Sequence, residues 1–139
     1  MFLRVRRDLA PFPAAVPADL DEDAIATIAD AAPLQDALRA SPLVDAGSLS
    51  CGDATRFTWR TPDGGTLEVH AMPQALSVRA HAHWNHVAQL FELARGVWTG
   101  ALLFDLQQGL VHDPASFRVA IERNDRELAD HRARTGAGR

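Results

Sequence analysis

From residue 53 onward, apolar and polar positions alternate one by one. Phe57 and Trp59 share a face within 54–61, and Leu67, Val69 and Ala71 share one within 66–72. Within 75–83, Leu76, Val78, Ala80 and Ala82 point one way, and Ser77, Arg79, His81 and His83 the other. Successive side chains of a strand leave opposite faces of the sheet, so this period of two predicts three consecutive strands over 54–61, 66–72 and 75–83. Pro62-Asp63-Gly64-Gly65 supplies the turn between the first two, and Pro73 ends the second. Upstream, Phe2–Arg7 reads as a short strand with Leu3 and Val5 on one face.

The period then lengthens. Trp84, Val87, Ala88, Phe91 and Ala94 recur at helical spacing, which predicts an amphipathic helix with Gly96 just past its end. Val97–Leu106 is nearly all apolar and reads as a central strand. Gln107-Gln108-Gly109 is a turn, and Leu110–His112 a short returning strand. Asp113 and Pro114 suit the cap and first position of a last helix, with Phe117, Ile121, Asn124 and Leu128 on its inner face. Nearer the start, Pro11, Pro13 and Pro17 mark 8–19 as loop or extended cover. Asp21 is placed to cap a short helix carrying Ile25, Ile28 and Ala29, and Pro33–Ala40 makes a second. Cys51-Gly52 reads as loop and turn.

Strands joined by tight turns, with helices before, between and after them, predict an α+β fold: a mostly antiparallel sheet covered by helices on one face. The 139 residues fit one domain. Within it, 1–46 would hold the first strand, a loop and two short helices, 47–134 the sheet and its helices, and 135–139 a frayed tail.

Composition narrows the function. The 14 basic residues are all arginine and face 18 acids, a net charge of −4 that argues against electrostatic binding of nucleic acid. The lack of lysine and the abundance of alanine suggest a GC-rich bacterial genome. A single cysteine cannot form an internal disulfide, and Arg4, Arg6 and Arg7 interrupt the first apolar run. These features point to a cytoplasmic chain with no membrane span.

Two clusters are candidates for chemistry or recognition. Asp19, Asp21, Glu22, Asp23, Asp30 and Asp36 form an acidic stretch with no basic residue until Arg39, either a solvated helix surface or a face for a basic partner. The hexapeptide His81-Ala82-His83-Trp84-Asn85-His86 holds three of the six histidines. Two histidines two apart on a strand share a face and could hold zinc, with His86 as third ligand. The hexapeptide resembles the His-x-His-x-Asp-His signature of the metallo-β-lactamase family, with Asn85 standing where that family has a metal-binding aspartate. The competing reading is a polar strand face. His112-Asp113 could be an acid–base pair, but Asp113 is needed as a helix cap. Trp59, Trp84 and Trp98 are core candidates, any of which could instead anchor a partner.

The stretch Leu90–Pro114 resembles small bacterial cytosolic proteins in which a helix rich in Leu-Ala leads to a strand ending near Asp-Pro-Gln-x-Gly, some of them immunity proteins that act beside toxins. Here Leu106 takes the place of that proline. The resemblance implies a compact, acidic, non-catalytic binder and assigns no binding residue. The expected function is therefore non-enzymatic binding of a protein partner, without cofactor, with an immunity-type toxin inhibitor as one form and a homodimer as another possibility. The alternatives are a metal site at His81, His83 and His86, and a small-ligand or oligomeric regulatory domain.

Overall fold

The structure is a computed structural model that describes residues 1–5, 16–17, 28, 30–42, 44–45, 47–105 and 107–136. It is α+β. Strands β1 (Phe2–Val5), β2 (Val16–Pro17), β3 (Leu49–Asp53), β4 (Arg56–Arg60), β5 (Thr66–Met72), β6 (Ala75–His81), β7 (Ala101–Asp105) and β8 (Leu110–His112) form one sheet. Its order is β2-β8-β7-β1-β6-β5-β4-β3, every pairing antiparallel. Helices α1 (Ala32–Arg39), α2 (Trp84–Val97) and α3 (Pro114–Gly136) complete the described elements.

The alternation sets the layers. Phe57, Trp59, Leu67, Val69, Leu76 and Val78 are buried in one core with Leu34 and Leu38 of α1, Val87, Leu90, Phe91 and Ala94 of α2, and Phe117 and Ile121 of α3. Phe91 meets Phe117 edge-on at 6.4 Å between ring centroids. On the opposite face of the sheet, Leu102, Phe104 and Val111 form a second apolar cluster with Phe2, and the Arg4 guanidinium lies 5.1 Å over the Phe104 ring.

Turn chemistry joins β4 to β5. Gly64 has φ +87°, a conformation that glycine adopts without strain. A Cβ on Gly65 would come within 2.5 Å of the Ala82 side chain, so this turn lies directly against the end of β6. Asp113 caps α3 as expected, accepting from the Ser116 N–H at 2.8 Å. Asp105 closes the β7–β8 turn by accepting from the Gln107 and Gln108 N–H groups.

Several expectations are corrected. Cys51 and Gly52 belong to an edge strand, β3, whose ladder slips between Cys51 and Asp53. Its Ser, Gly and Asp positions mask the alternation because almost all are exposed. Helix α2 continues through Gly96, whose φ is not positive, to Val97, with Trp98 as its cap. Helix α3 continues through Gly136, so the tail does not begin at 135. Leu128 lies on the predicted inner face but is 47% exposed, and Ile121 is the last buried residue of α3. The Asp21-capped helix lies outside the described residues.

This difference along α3 is measurable. Phe117→Ala should cost about 3–5 kcal/mol, as buried aromatic truncations do. Leu128→Ala should stay within about 0.5 kcal/mol. Urea unfolding of the two variants checks the point, and comparable losses would place the second half of α3 in the core.

Candidate functional site

The histidines of the hexapeptide are sent in three directions. β6 ends at His81, so the alternation stops there and His83 does not share its strand face. His81 is exposed. His83 is the N-cap of α2: its Nδ1 accepts from the Asn85 N–H at 3.1 Å when neutral and, when protonated, donates to the Asn85 Oδ1 at 2.9 Å. Its Nε2 faces Asp125 of α3 at 2.7 Å. His86 is buried in the first turn of α2, with Nε2 at 3.1 Å from Asp63 and Nδ1 at 3.1 Å from Gln89. Its ring meets Trp59 edge-on at 6.0 Å. Both nitrogens of His83 and of His86 are thus engaged by the protein. Among the described residues no group of three or more His, Cys, Asp and Glu is arranged to hold a metal ion.

These pairs have clear electrostatic consequences. The bond to Asp125, helped by Asn85, raises the pKa of His83 above the ordinary histidine range. Asp63 is held down to about 2, first by the Thr61 hydroxyl, then by the Gly65 N–H and by His86.

The acidic stretch is only partly described. Asp30 accepts from the Ala32 N–H at 2.7 Å at the start of α1, and Asp36 pairs with Arg39 at 3.2 Å. Both are exposed and locally engaged. Asp19, Asp21, Glu22 and Asp23 lie outside the described residues.

Four residues come together elsewhere, of which the sequence pairs only His112 and Asp113. Trp84, Asp105, His112 and Asp113 line one cleft of about 780 Å³ between α3 and the β7–β8 hairpin. Register explains the convergence. Asp105 and His112 share the helix-bearing face with Leu103, because Leu103 pairs with His112 and Asp105 with Leu110. Asp113 then turns the chain into α3. Trp84, at the first turn of α2, stacks on Phe117 at 6.2 Å and 23°.

One face of α3 forms the other wall. Ser116, Val119, Ala120, Arg123, Asn124 and Glu127 all line the cleft, a run of three turns. At 1.5 Å per residue that wall is about 16 Å long. Apart from Asn124, sequence reading missed this wall because most of its residues are small or polar and the apolar Phe117–Ile121 stripe dominates the periodicity.

His112 sits at the base. It is buried, its ring packs 5.6 Å from Phe117, and its Nδ1 lies 3.0 Å from the Ser116 hydroxyl. Burial lowers its pKa, Asp105 and Asp113 oppose that, and Arg123 adds to it. His112 is therefore held toward the neutral form, a donor or acceptor rather than a charge. The cleft combines an aromatic floor with Asp105, Asp113 and Glu127 against one Arg123.

Comparison with known protein families, with curated proteins and with solved structures finds no significant match.

Two outcomes test the histidine geometry. A raised folded-state pKa makes His83 stabilising below the unfolded value of about 6.5, and that contribution is lost as pH rises through the folded value. His83→Gln should therefore cost more stability at pH 5.5 than at pH 9, by about 0.5 kcal/mol for so exposed a pair. Urea unfolding at the two pH values measures it, and an equal loss at both would remove the Asp125 pairing as the cause. Separately, three histidines binding zinc at micromolar affinity would add about 3 kcal/mol at a hundredfold excess. The expected result is an unchanged melting temperature with zinc.

Proposed function

We propose that this chain acts by binding a protein partner, and that the α3 cleft receives an apolar anchor of that partner with a basic residue beside it. The observation that carries this reading is the cleft itself. Its size is that of a specific recognition pocket, and its lining mixes apolar surface from Trp84, Leu110, Val111 and Val119 with convergent polar and charged groups. Trp84, partly exposed and stacked against the buried Phe117, gives the floor rigid aromatic surface of the kind that anchors interfaces. Val119, at its rim, is 55% exposed, the more exposed of the two large apolar side chains open to solvent among the described residues.

Charge supports a basic neighbour. Three carboxylates and one guanidinium line the cleft, so an arginine or lysine next to the anchor would meet net negative potential. The acidic stretch containing Asp19, Asp21, Glu22 and Asp23 would extend that preference and steer association. An immunity-type inhibitor is one instance, with a toxin as partner. No helix among the described residues is long and apolar enough to cross a membrane.

The test is selection of displayed peptides on the purified protein, followed by NMR titration. Selected sequences should carry an aliphatic or aromatic residue flanked by Arg or Lys, and should shift the amides of Ser116, Ala120 and Arg123. Val119→Asp should weaken them at least tenfold while leaving thermal stability within about 0.5 kcal/mol, as exposed substitutions do. Peptides that bind the variant as well as the wild type would remove the cleft from the interface.

A further inference from the structure

The sheet has a second surface of opposite charge, away from the helices. In β4, β5 and β6 the residues opposite the core are Arg56, Thr58 and Arg60, then Thr66, Glu68, His70 and Met72, then Ser77, Arg79 and His81. Three arginines face Glu68 there, with Asp53 of β3 paired opposite Arg56, in a chain whose net charge is −4. The pairings set these residues in rows. Thr58, Glu68 and Arg79 lie side by side, and Arg56, His70 and Ser77 form the next row.

A groove of about 530 Å³ runs over this surface, lined among others by Ser50, Arg56, Thr58, Glu68, His70 and Arg79. Arg56 and Arg79 stand at opposite corners. They are two strands apart, about 10 Å, and two residues apart along the strand, about 7 Å. Both are exposed. Glu68 stands directly across from Arg79, yet no ion pair within 4 Å joins them among the salt bridges of the described residues. Arg60 is different, since its guanidinium reaches the Gly47 carbonyl oxygen at 3.5 Å.

We propose that this groove docks an acidic, extended segment of a protein partner, with Arg56 and Arg79 each taking a carboxylate. Guanidinium groups suit that task because their planar fork binds a carboxylate through two parallel hydrogen bonds. Carboxylates four residues apart on an extended peptide are about 13 Å apart, close to the spacing of the two arginines. Glu68 and His70 of β5 lie between them, and the hydroxyls of Ser50 and Thr58 add hydrogen-bonding capacity on the β3–β4 side of the groove. Glu68 lies within the groove and sets a limit on affinity. A nucleic acid fits less well. The Arg56–His70–Ser77 row does continue into Phe2 of β1, but the chain repels a polyanion as a whole. The groove lies on the face opposite the α3 cleft, and the proposal does not depend on the cleft.

The experiment is fluorescence anisotropy with a labelled hexaglutamate peptide and, in parallel, a labelled single-stranded RNA of equal charge. The expected result is peptide binding that weakens with salt and is lost at least tenfold in Arg56→Glu/Arg79→Glu. Glu68→Gln should tighten it severalfold, a gain that damage to the fold would not produce. Val119→Asp should leave it unchanged, which separates this surface from the cleft. Thermal melts confirm that each variant is folded. Absence of peptide binding at millimolar concentration, RNA binding as tight as peptide binding, or a face blocked by self-association in sedimentation would each overturn the proposal.

Discussion

The fold depends on where strand β1 is inserted. β6 and β7 are each antiparallel to β1 and therefore run parallel to each other. Parallel strands cannot be joined by a hairpin, so the chain between them must cross over, and α2 is that crossover. The crossover leaves a gap one strand wide, and Phe2–Val5 fills it. Its ladder to β7 covers all four residues, and Leu3 is buried beneath the helices. Without β1 the β3–β6 meander and the β7–β8 hairpin would be two sheets with four unpaired edges between them. The α3 cleft depends on the same insertion, because one wall belongs to α3 and the β7–β8 hairpin while Trp84 arrives from the meander side.

The junction of β6 and α2 is held by polar contacts rather than by a glycine cap. His83 satisfies a free N–H of α2 and reaches across to α3, while His86 grips the β4–β5 turn through Asp63. That turn lies close because Gly65 permits it. The three histidines that look like a metal motif in one dimension are therefore separate fasteners in three. His83 ties α2 to α3, His86 ties α2 to the sheet, and His81 faces solvent.

Much of this was legible in the residue pattern, for a definite reason. Strands β4, β5 and β6 each have one wet face and one dry face, so burial writes itself into the alternation. β3 is nearly all exposed and carries no such imprint. The run from Leu76 to Ala82 alternates so cleanly that it invites continuation to His83, but alternation does not mark where a strand stops. The cap role of His83 is also unreadable from composition, since Ser, Thr, Asn and Asp are the usual caps. The central place of β1 rests on pairings some 75 to 100 residues away, which local period cannot express. The cleft residues were visible as individuals. Asp113 read as a cap, which holds, Trp84 as core, though it is only partly buried, and Asp105 only as part of an apolar strand. What local pattern omits is that the β7–β8 register and the α3 entry place them together.

Net charge hides a separation that the pleat makes explicit. In β4–β6 every second residue must leave the core side, and there the chain places Arg56, Arg60 and Arg79. The helix side of β7 and β8 carries Asp105 and His112, and the facing wall adds Glu127. Both faces are fixed to the same backbone, so a one-residue slip of register would exchange arginines for core residues and collapse both patterns at once. The buried rows of Phe57, Trp59, Leu67 and Val69 oppose such a slip, and through them the hydrophobic core sets the charge geometry of the surface. A value of −4 for the whole chain describes neither side. An acidic, aromatic-floored cleft on one face and an arginine-bearing groove on the other are consistent with a molecule that meets its surroundings through two chemically different contacts.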